Sequence, residues 1–171
     1  MPRVTIIGGP NGAGKTLFAS EYFAVETASV YLNADEIARR LEPHTGLEAV
    51  TNIRAGREML ERLDKAIEAR EDVLFETTLA SLTYARKIPL WRSRQYHVAL
   101  LYVRLPTVEH SIARVRRRVA EGGHGMPEDV IRRRFVKSLR YLEDHYKPIF
   151  DEWEIWDSLE GEFRRAQTSE G

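Results

Sequence analysis

Residues 8–16, "GGPNGAGKT", lie between an apolar run at 4–7 and an amphipathic stretch, "TLFASEYF". No other feature limits so sharply what the chain can fold into. A loop this rich in glycine closes by using backbone conformations that other residues avoid. The closure turns a row of N–H groups inward, and the helix that follows adds the positive end of its dipole. The product is an anion cradle between the carboxyl end of a strand and the amino end of a helix. Such βα units are the parts of a parallel sheet flanked by helices.

The spacing from Gly9 to Thr16 fits G-x-x-x-x-G-K-[ST], which points to nucleotide phosphates. Lys15 is placed to reach the β- and γ-phosphates, and the Thr16 hydroxyl is a Mg²⁺ ligand. The expected nucleotide-binding residues are Gly9, Pro10, Asn11, Gly12, Ala13, Gly14, Lys15 and Thr16, with Leu17 beside them. Their expected occupant is a purine nucleoside triphosphate, ATP or GTP, with Mg²⁺.

Further apolar runs at 30–32, 73–75, 98–103 and, more weakly, 153–156 alternate with helical periodicity. Ile53, Gly56, Leu60, Leu63 and Ile67 mark one helix face. Val108, Ile112, Val115 and Val119 mark a second; Ile131, Phe135, Leu139, Leu142 and Tyr146 mark a third. The expected fold is α/β: a doubly wound, mostly parallel five-stranded sheet in one domain over residues 1–171, with ligands at the carboxyl ends of the strands. The final "RRAQTSEG" reads as frayed.

Charge removes some functional classes. Lys plus Arg and Asp plus Glu both number 26, so no global field draws the chain to nucleic acid or to a membrane surface. There is no cysteine for a disulfide or a thiolate metal site. No apolar run approaches the ~20 residues of a membrane span, and "RVTIIGG" lacks the form of a signal peptide, so a cytoplasmic location is expected.

Two carboxylates stand where the topology puts strand ends. Glu76 closes the strand "DVLFE", where it can hold Mg²⁺ directly or through water, or serve only as a strand-end acid. Asp35 follows the second strand in the first turn of a helix. There it is either a proton acceptor for an attacking hydroxyl or a helix cap, a role Asn33 could also fill. Arg54 and Arg57, about a helical turn apart, either line the same cleft or face solvent.

From 114 to 135 two helical segments flank "EGGHGMPED", with Arg114, Arg116, Arg117 and Arg118 before it and Arg132, Arg133 and Arg134 after it. A glycine-hinged, arginine-rich pair suits a lid closing over a triphosphate. Nucleic-acid binding is the competing reading, weakened by the interspersed acids and the apolar stripes. His124, between glycines, is either a ligand contact or a loop residue without a role.

Taken together, "GGPNGAGKT", "LNADEIA", "RAGREML", "LFETTL" and "RVAEGGHGMPEDVIRRRF" resemble, in that order, the zeta-toxin-like small P-loop kinases. The resemblance implies phosphotransfer from ATP or GTP with Mg²⁺ to a small-molecule acceptor, possible acceptors including a sugar nucleotide such as UDP-N-acetylglucosamine, and an antitoxin protein as a further partner. It maps Asp35 onto the catalytic base and Glu76, with Thr16, onto the metal side. Lys15 joins the catalytic set, with the phosphate clamps ordered Arg118, Arg133 and Arg134. The rival readings are a nucleotide or nucleoside kinase and a non-transferring ATPase or switch acting on a partner. No "LSGGQ" stretch supports a transporter-type ATPase, and "VRLPTVEH" stands where a GTPase would carry N-K-x-D.

Overall fold

The computed structural model describes residues 1–22, 28, 30–41, 48–123 and 125–169. Its elements run β1 (Arg3–Gly8), α1 (Lys15–Tyr22), β2 (Val30–Asn33), α2 (Ala34–Leu41), α3 (Glu48–Glu68), β3 (Val73–Thr77) and α4 (Thr83–Ser93). They continue with β4 (His97–Arg104), α5 (Val108–Ala120), α6 (Glu128–Tyr141), a π-turn (Leu142–Tyr146), a 3₁₀ turn (Lys147–Ile149), β5 (Glu152–Leu159) and β6 (Glu162–Thr168). The sheet order is β2-β3-β1-β4-β5-β6. β1 pairs in parallel with β3 and β4, β3 with β2, and β4 with β5, whereas β6 returns antiparallel to β5.

The sheet therefore has six strands among the described residues, not five, and residues 164–168 of the stretch expected to fray belong to its edge strand. The physical reason lies in the turn before it. Leu159 pairs with Glu162, leaving Glu160 and Gly161 as a two-residue loop, both at positive φ (49° and 84°). That is the twist a tight hairpin needs, and Glu-Gly accommodates it. β6 hides from a hydrophobicity scan because Phe163 is its one buried residue. Charged, exposed neighbours suit an edge strand that must not recruit another chain.

Alternation along β1 shows how the sheet divides its cores. Val4 and Ile6 enter a cluster with Leu63, Ile67, Phe75, Ile88 and Trp91, under α2, α3 and α4. Ile7, on the other face, joins Leu74, Val103, Phe163 of β6, Phe18 of α1 and Phe135 of α6. A parallel sheet buried on both faces reads as continuous apolar runs, which is why β1, β3 and β4 were legible. Tyr84, Trp91 and Tyr96 are core residues, with α4 carrying the first two.

Two stripe positions do not enter the core: Ile53 is 58% exposed and Val119 is 44% exposed. The third stripe holds through Leu142 and Tyr146, both buried, although α6 ends in a π-turn there.

Candidate functional site

The phosphate loop is shaped by what surrounds it. Gly9 has φ 147°, and a Cβ there would lie 2.3 Å from the Val103 carbonyl oxygen on β4. At Gly12, φ 78°, a Cβ would stand 3.0 Å from Arg114 Cβ and from the Ser111 carbonyl oxygen. Only glycine lets the backbone pass this close at these angles. From α5, Ser111 donates to the Asn11 carbonyl, and Arg114 donates to the Gly12 carbonyl (3.3 Å) and to Ser158 Oγ on β5 (2.9 Å).

Lys15 Nζ donates to the carbonyls of Gly9 (3.0 Å) and Pro10 (3.1 Å), leaving one of its three protons for a ligand. Desolvation of the ammonium lowers its pKa; Glu76 and Asp35 pull it back up, and Arg118 and Arg134 add to the lowering. Residues drawn from β3, α2, α5 and α6 thus act on one ammonium. Asn11 is buried and its Oδ1 has no hydrogen-bond partner among the described residues. An orphaned polar atom of this kind costs about 1–3 kcal/mol. A nucleotide in the loop would relieve that cost, since the amide can turn either end toward it.

Glu76 is 7% exposed, at the carboxyl end of β3. Its carboxylate accepts the Thr16 hydroxyl at 3.0 Å and the Tyr31 hydroxyl, and Asn33 Nδ2 donates to Thr16 Oγ1 at 3.4 Å. Burial and the neighbouring Glu76 both push the Tyr31 phenol's pKa upward, so it stays a donor. Among the described residues no group of three or more His, Asp or Glu side chains gathers to hold a metal alone. Thr16 and Glu76 supply the oxygen donors that suit a hard cation completing its shell with phosphates and water.

Asn33 caps α2: its Oδ1 accepts the Asp35 N–H at 2.9 Å. The Asp35 carboxylate is therefore not needed for the cap, and it lines a cavity of about 560 Å³ at the carboxyl ends of β2 and β3. Lys15, Arg57, Arg133, Arg134 and Lys137 line the same cavity. Arg54 does not; it faces a surface groove with Glu58 and Glu61. A second cavity of equal volume lies at the opposite end of the sheet, but its Arg92 is already paired with Asp151 at 2.8 Å.

The sequence model of the zeta toxin family matches residues 1–153. The chain belongs to the zeta toxin family. Its fold is that of the P-loop kinases. An uncharacterized protein of Haemophilus influenzae is 28% identical over 127 residues, covering 74% of this chain and 88% of that one. A structure from the PezAT chromosomal toxin-antitoxin system of Streptococcus pneumoniae aligns with TM-score 0.69 and 22% identity, over 99% of this chain and 72% of that one. AvrRxo1-ORF1:-ORF2 with ATP aligns with TM-score 0.74 and 18% identity, over 98% of this chain and 58% of that one. A gluconokinase from Sinorhizobium meliloti gives TM-score 0.53 and 14% identity, over 93% and 83%. At these identities the solved structures establish the fold alone.

Within this family member the arginines sort by partner. Arg116 and Arg132 share Glu128, Arg117 pairs with Glu121, and Arg132 also reaches Glu109; all are surface pairs. Arg134 is half-buried, donates to Met126 Sδ at 3.5 Å and feels the Asp35 carboxylate. Arg133 is exposed at the cavity wall. Arg118 does not line the cavity, although it lies close enough to act on Lys15. Leu17 is 48% exposed on α1. His124 lies outside the described residues.

Sequence reasoning overlooked Tyr31, Ser111 and Ser138, and it read Arg114 as a lid arginine where the structure has it bracing the phosphate loop. Ser138, on α6, is fully buried and donates to the Thr78 carbonyl at 2.5 Å while bonded to the Tyr102 hydroxyl at 2.6 Å. A serine has one proton to give, so Tyr102 is the donor of the second bond. The pair ties α6 to the β3–α4 loop at Thr78, which lines the cavity next to Thr77 at the end of β3. Ser138→Ala is expected to destabilise the fold by about 1–3 kcal/mol, because it strands a buried hydroxyl and a carbonyl. Adding Tyr102→Phe should cost less than the sum of the two single changes, as read by denaturant unfolding.

Proposed function

We propose that this chain moves the γ-phosphate of ATP or GTP onto a hydroxyl of a small molecule held in the cavity between α3, α6 and the β3–α4 loop. The observation that carries the reading is convergence. The phosphate-loop lysine, the Thr16–Glu76 pair, the Asp35 carboxylate outside its helix cap and the half-buried Arg134 all meet at one cavity mouth. From Asn11 and Lys15 the cavity extends to Ile53, Gly56 and Leu60 of α3 and Lys137 of α6, a reach that nucleotide hydrolysis alone does not require.

In the proposed reaction an acceptor oxygen bonds to the γ-phosphorus as the bond to the β-phosphate oxygen breaks. The acceptor's proton passes to Asp35, and the nucleoside diphosphate leaves. Lys15 and Arg134 hold the charge that spreads over the phosphoryl oxygens. Thr16 and Glu76 would hold Mg²⁺, which neutralises phosphate charge when bound. The hairpin of α5 and α6, about 114–135, acts as the lid of a single domain.

Arg57, Arg133 and Lys137 have no carboxylate partner among the described residues, so the acceptor end of the cavity favours an anionic molecule. A sugar nucleotide of the UDP-N-acetylglucosamine type fits that demand. An antitoxin protein is the proposed macromolecular partner, in line with the toxin-antitoxin system of the Streptococcus pneumoniae relative.

The deciding experiment is an acceptor screen with γ-labelled ATP and Mg²⁺, run on UDP-N-acetylglucosamine, other sugar nucleotides, nucleosides and a small-molecule cell extract. The expected result is a labelled organic product formed by the native chain and absent with Asp35→Asn. Label released only as free phosphate, equally by both proteins, would replace the kinase reading with an ATPase module.

A further inference from the structure

Two features of α3 have no explanation among the described residues. Gly56 sits inside a 21-residue helix, where glycine costs about 1 kcal/mol relative to alanine. It is not at positive φ, and a Cβ built there meets nothing within 4 Å. Neither a turn nor a close packing contact among the described residues calls for it. One turn earlier, Ile53 is 58% exposed, although it belongs to the same apolar stripe as Leu60, Leu63 and Ile67.

Both features fall on one wall. Ile53, Gly56 and Leu60 are spaced at three and four residues, hence share a helix face, and all three line the 560 Å³ cavity. Farther along the same face, Leu63 and Ile67 are buried in the core. In the earlier half of α3 the core contact is carried by Ala55 and Met59, while Ile53, Gly56 and Leu60 line the cavity. The same cavity is lined by Thr77 at the end of β3, by Thr78 and Ser81 of the β3–α4 loop, and by Asp35.

We infer that the Ile53–Gly56–Leu60 face of α3 is the acceptor-binding wall, with Gly56 kept bare so that the acceptor can lie against the helix backbone. Gly56 is then a specificity-determining residue, and Ile53 the apolar surface that the acceptor covers. This inference rests on the kinase reading proposed above. It adds which helix face selects the acceptor and why that face departs from good helix design.

The test exploits opposite signs. Gly56→Ala should raise Tm by about 2–4 °C, since alanine favours the helix and meets no obstacle. The same change should lower label transfer about tenfold at subsaturating acceptor, with the nucleotide KM and acceptor-free ATP hydrolysis unchanged. The probes are UDP-N-acetylglucosamine and the small-molecule fraction of a cell extract, with γ-labelled ATP. Ile53→Ser should lower transfer in the same way and leave Tm where it is. Transfer undiminished in Gly56→Ala overturns the inference, as does a drop in Tm, which would make the glycine a packing requirement. If the native chain labels no component of either probe while hydrolysing ATP, the kinase reading fails and the acceptor wall falls with it. Label on a product together with undiminished transfer in both variants rejects the wall and leaves the kinase reading standing.

Discussion

Asp35→Asn is expected to lower phosphate transfer by about 10²–10⁴ while nucleotide affinity stays close to native. The substitution is nearly isosteric, and the α2 cap does not depend on it, because the cap acceptor is Asn33 Oδ1. What changes is the capacity to take a proton from the acceptor hydroxyl. The Asp35 carboxylate also helps keep Lys15 charged, since it is one of two acids opposing the desolvation of that ammonium. Affinity must therefore be measured separately from rate, for example by fluorescent-nucleotide titration alongside transfer of label. Loss of rate at native affinity supports proton acceptance. Loss of affinity with a proportionate loss of rate would recast Asp35 as an electrostatic partner of Lys15. A full transfer rate would remove Asp35 from the chemistry.

What the sequence disclosed depended on how far each signal travels along the chain. The phosphate loop was legible because its demands are local: glycines at set intervals, then Lys15 and Thr16 opening a helix. β1, β3 and β4 were legible because burial on both faces leaves their runs mainly apolar, with Thr5 a small buried exception in β1. The loop's supports were not, because Ser111 and Arg114 act on carbonyls 100 and 102 residues away. Tyr31 likewise meets Glu76 across 45 residues, and a lone tyrosine in a short strand carries no sign of its partner. β6 had a local signal, the Glu160–Gly161 turn, but its polar edge pattern resembles an unstructured tail. Periodicity put Ile53 in the apolar stripe of α3, but the buried residues at that end are Ala55 and Met59, and Ile53 stands exposed beside the cavity.

The arginine order is the reading that the geometry changes most. Arg118 led the sequence-based bets, yet it does not line the cavity, and a side chain at Gly123 would press on its Cγ at 2.6 Å. Arg133 lines the cavity but stands in solvent, where charge is screened. Arg134 lines the cavity and is half-buried. Desolvation is the largest influence lowering its pKa, with the Asp35 carboxylate opposing it. A guanidinium stays charged even so, and a partly desolvated charge acts more strongly on a phosphate than one in water. Arg134→Ala is therefore expected to lower kcat by about 10³, in the range of a catalytic arginine, with a much smaller change in nucleotide affinity. Arg134→Lys should recover only part of the loss, because a lysine keeps the charge but not the planar fork. Arg133→Ala should cost less than about tenfold, as an exposed charge contributes little. Single-turnover transfer measured across Arg118→Ala, Arg133→Ala and Arg134→Ala tests that ranking. If Arg118→Ala proves the most damaged, the α5–α6 hairpin must close further over the nucleotide than this structure shows, bringing the α5 arginine to the phosphate in place of the α6 one.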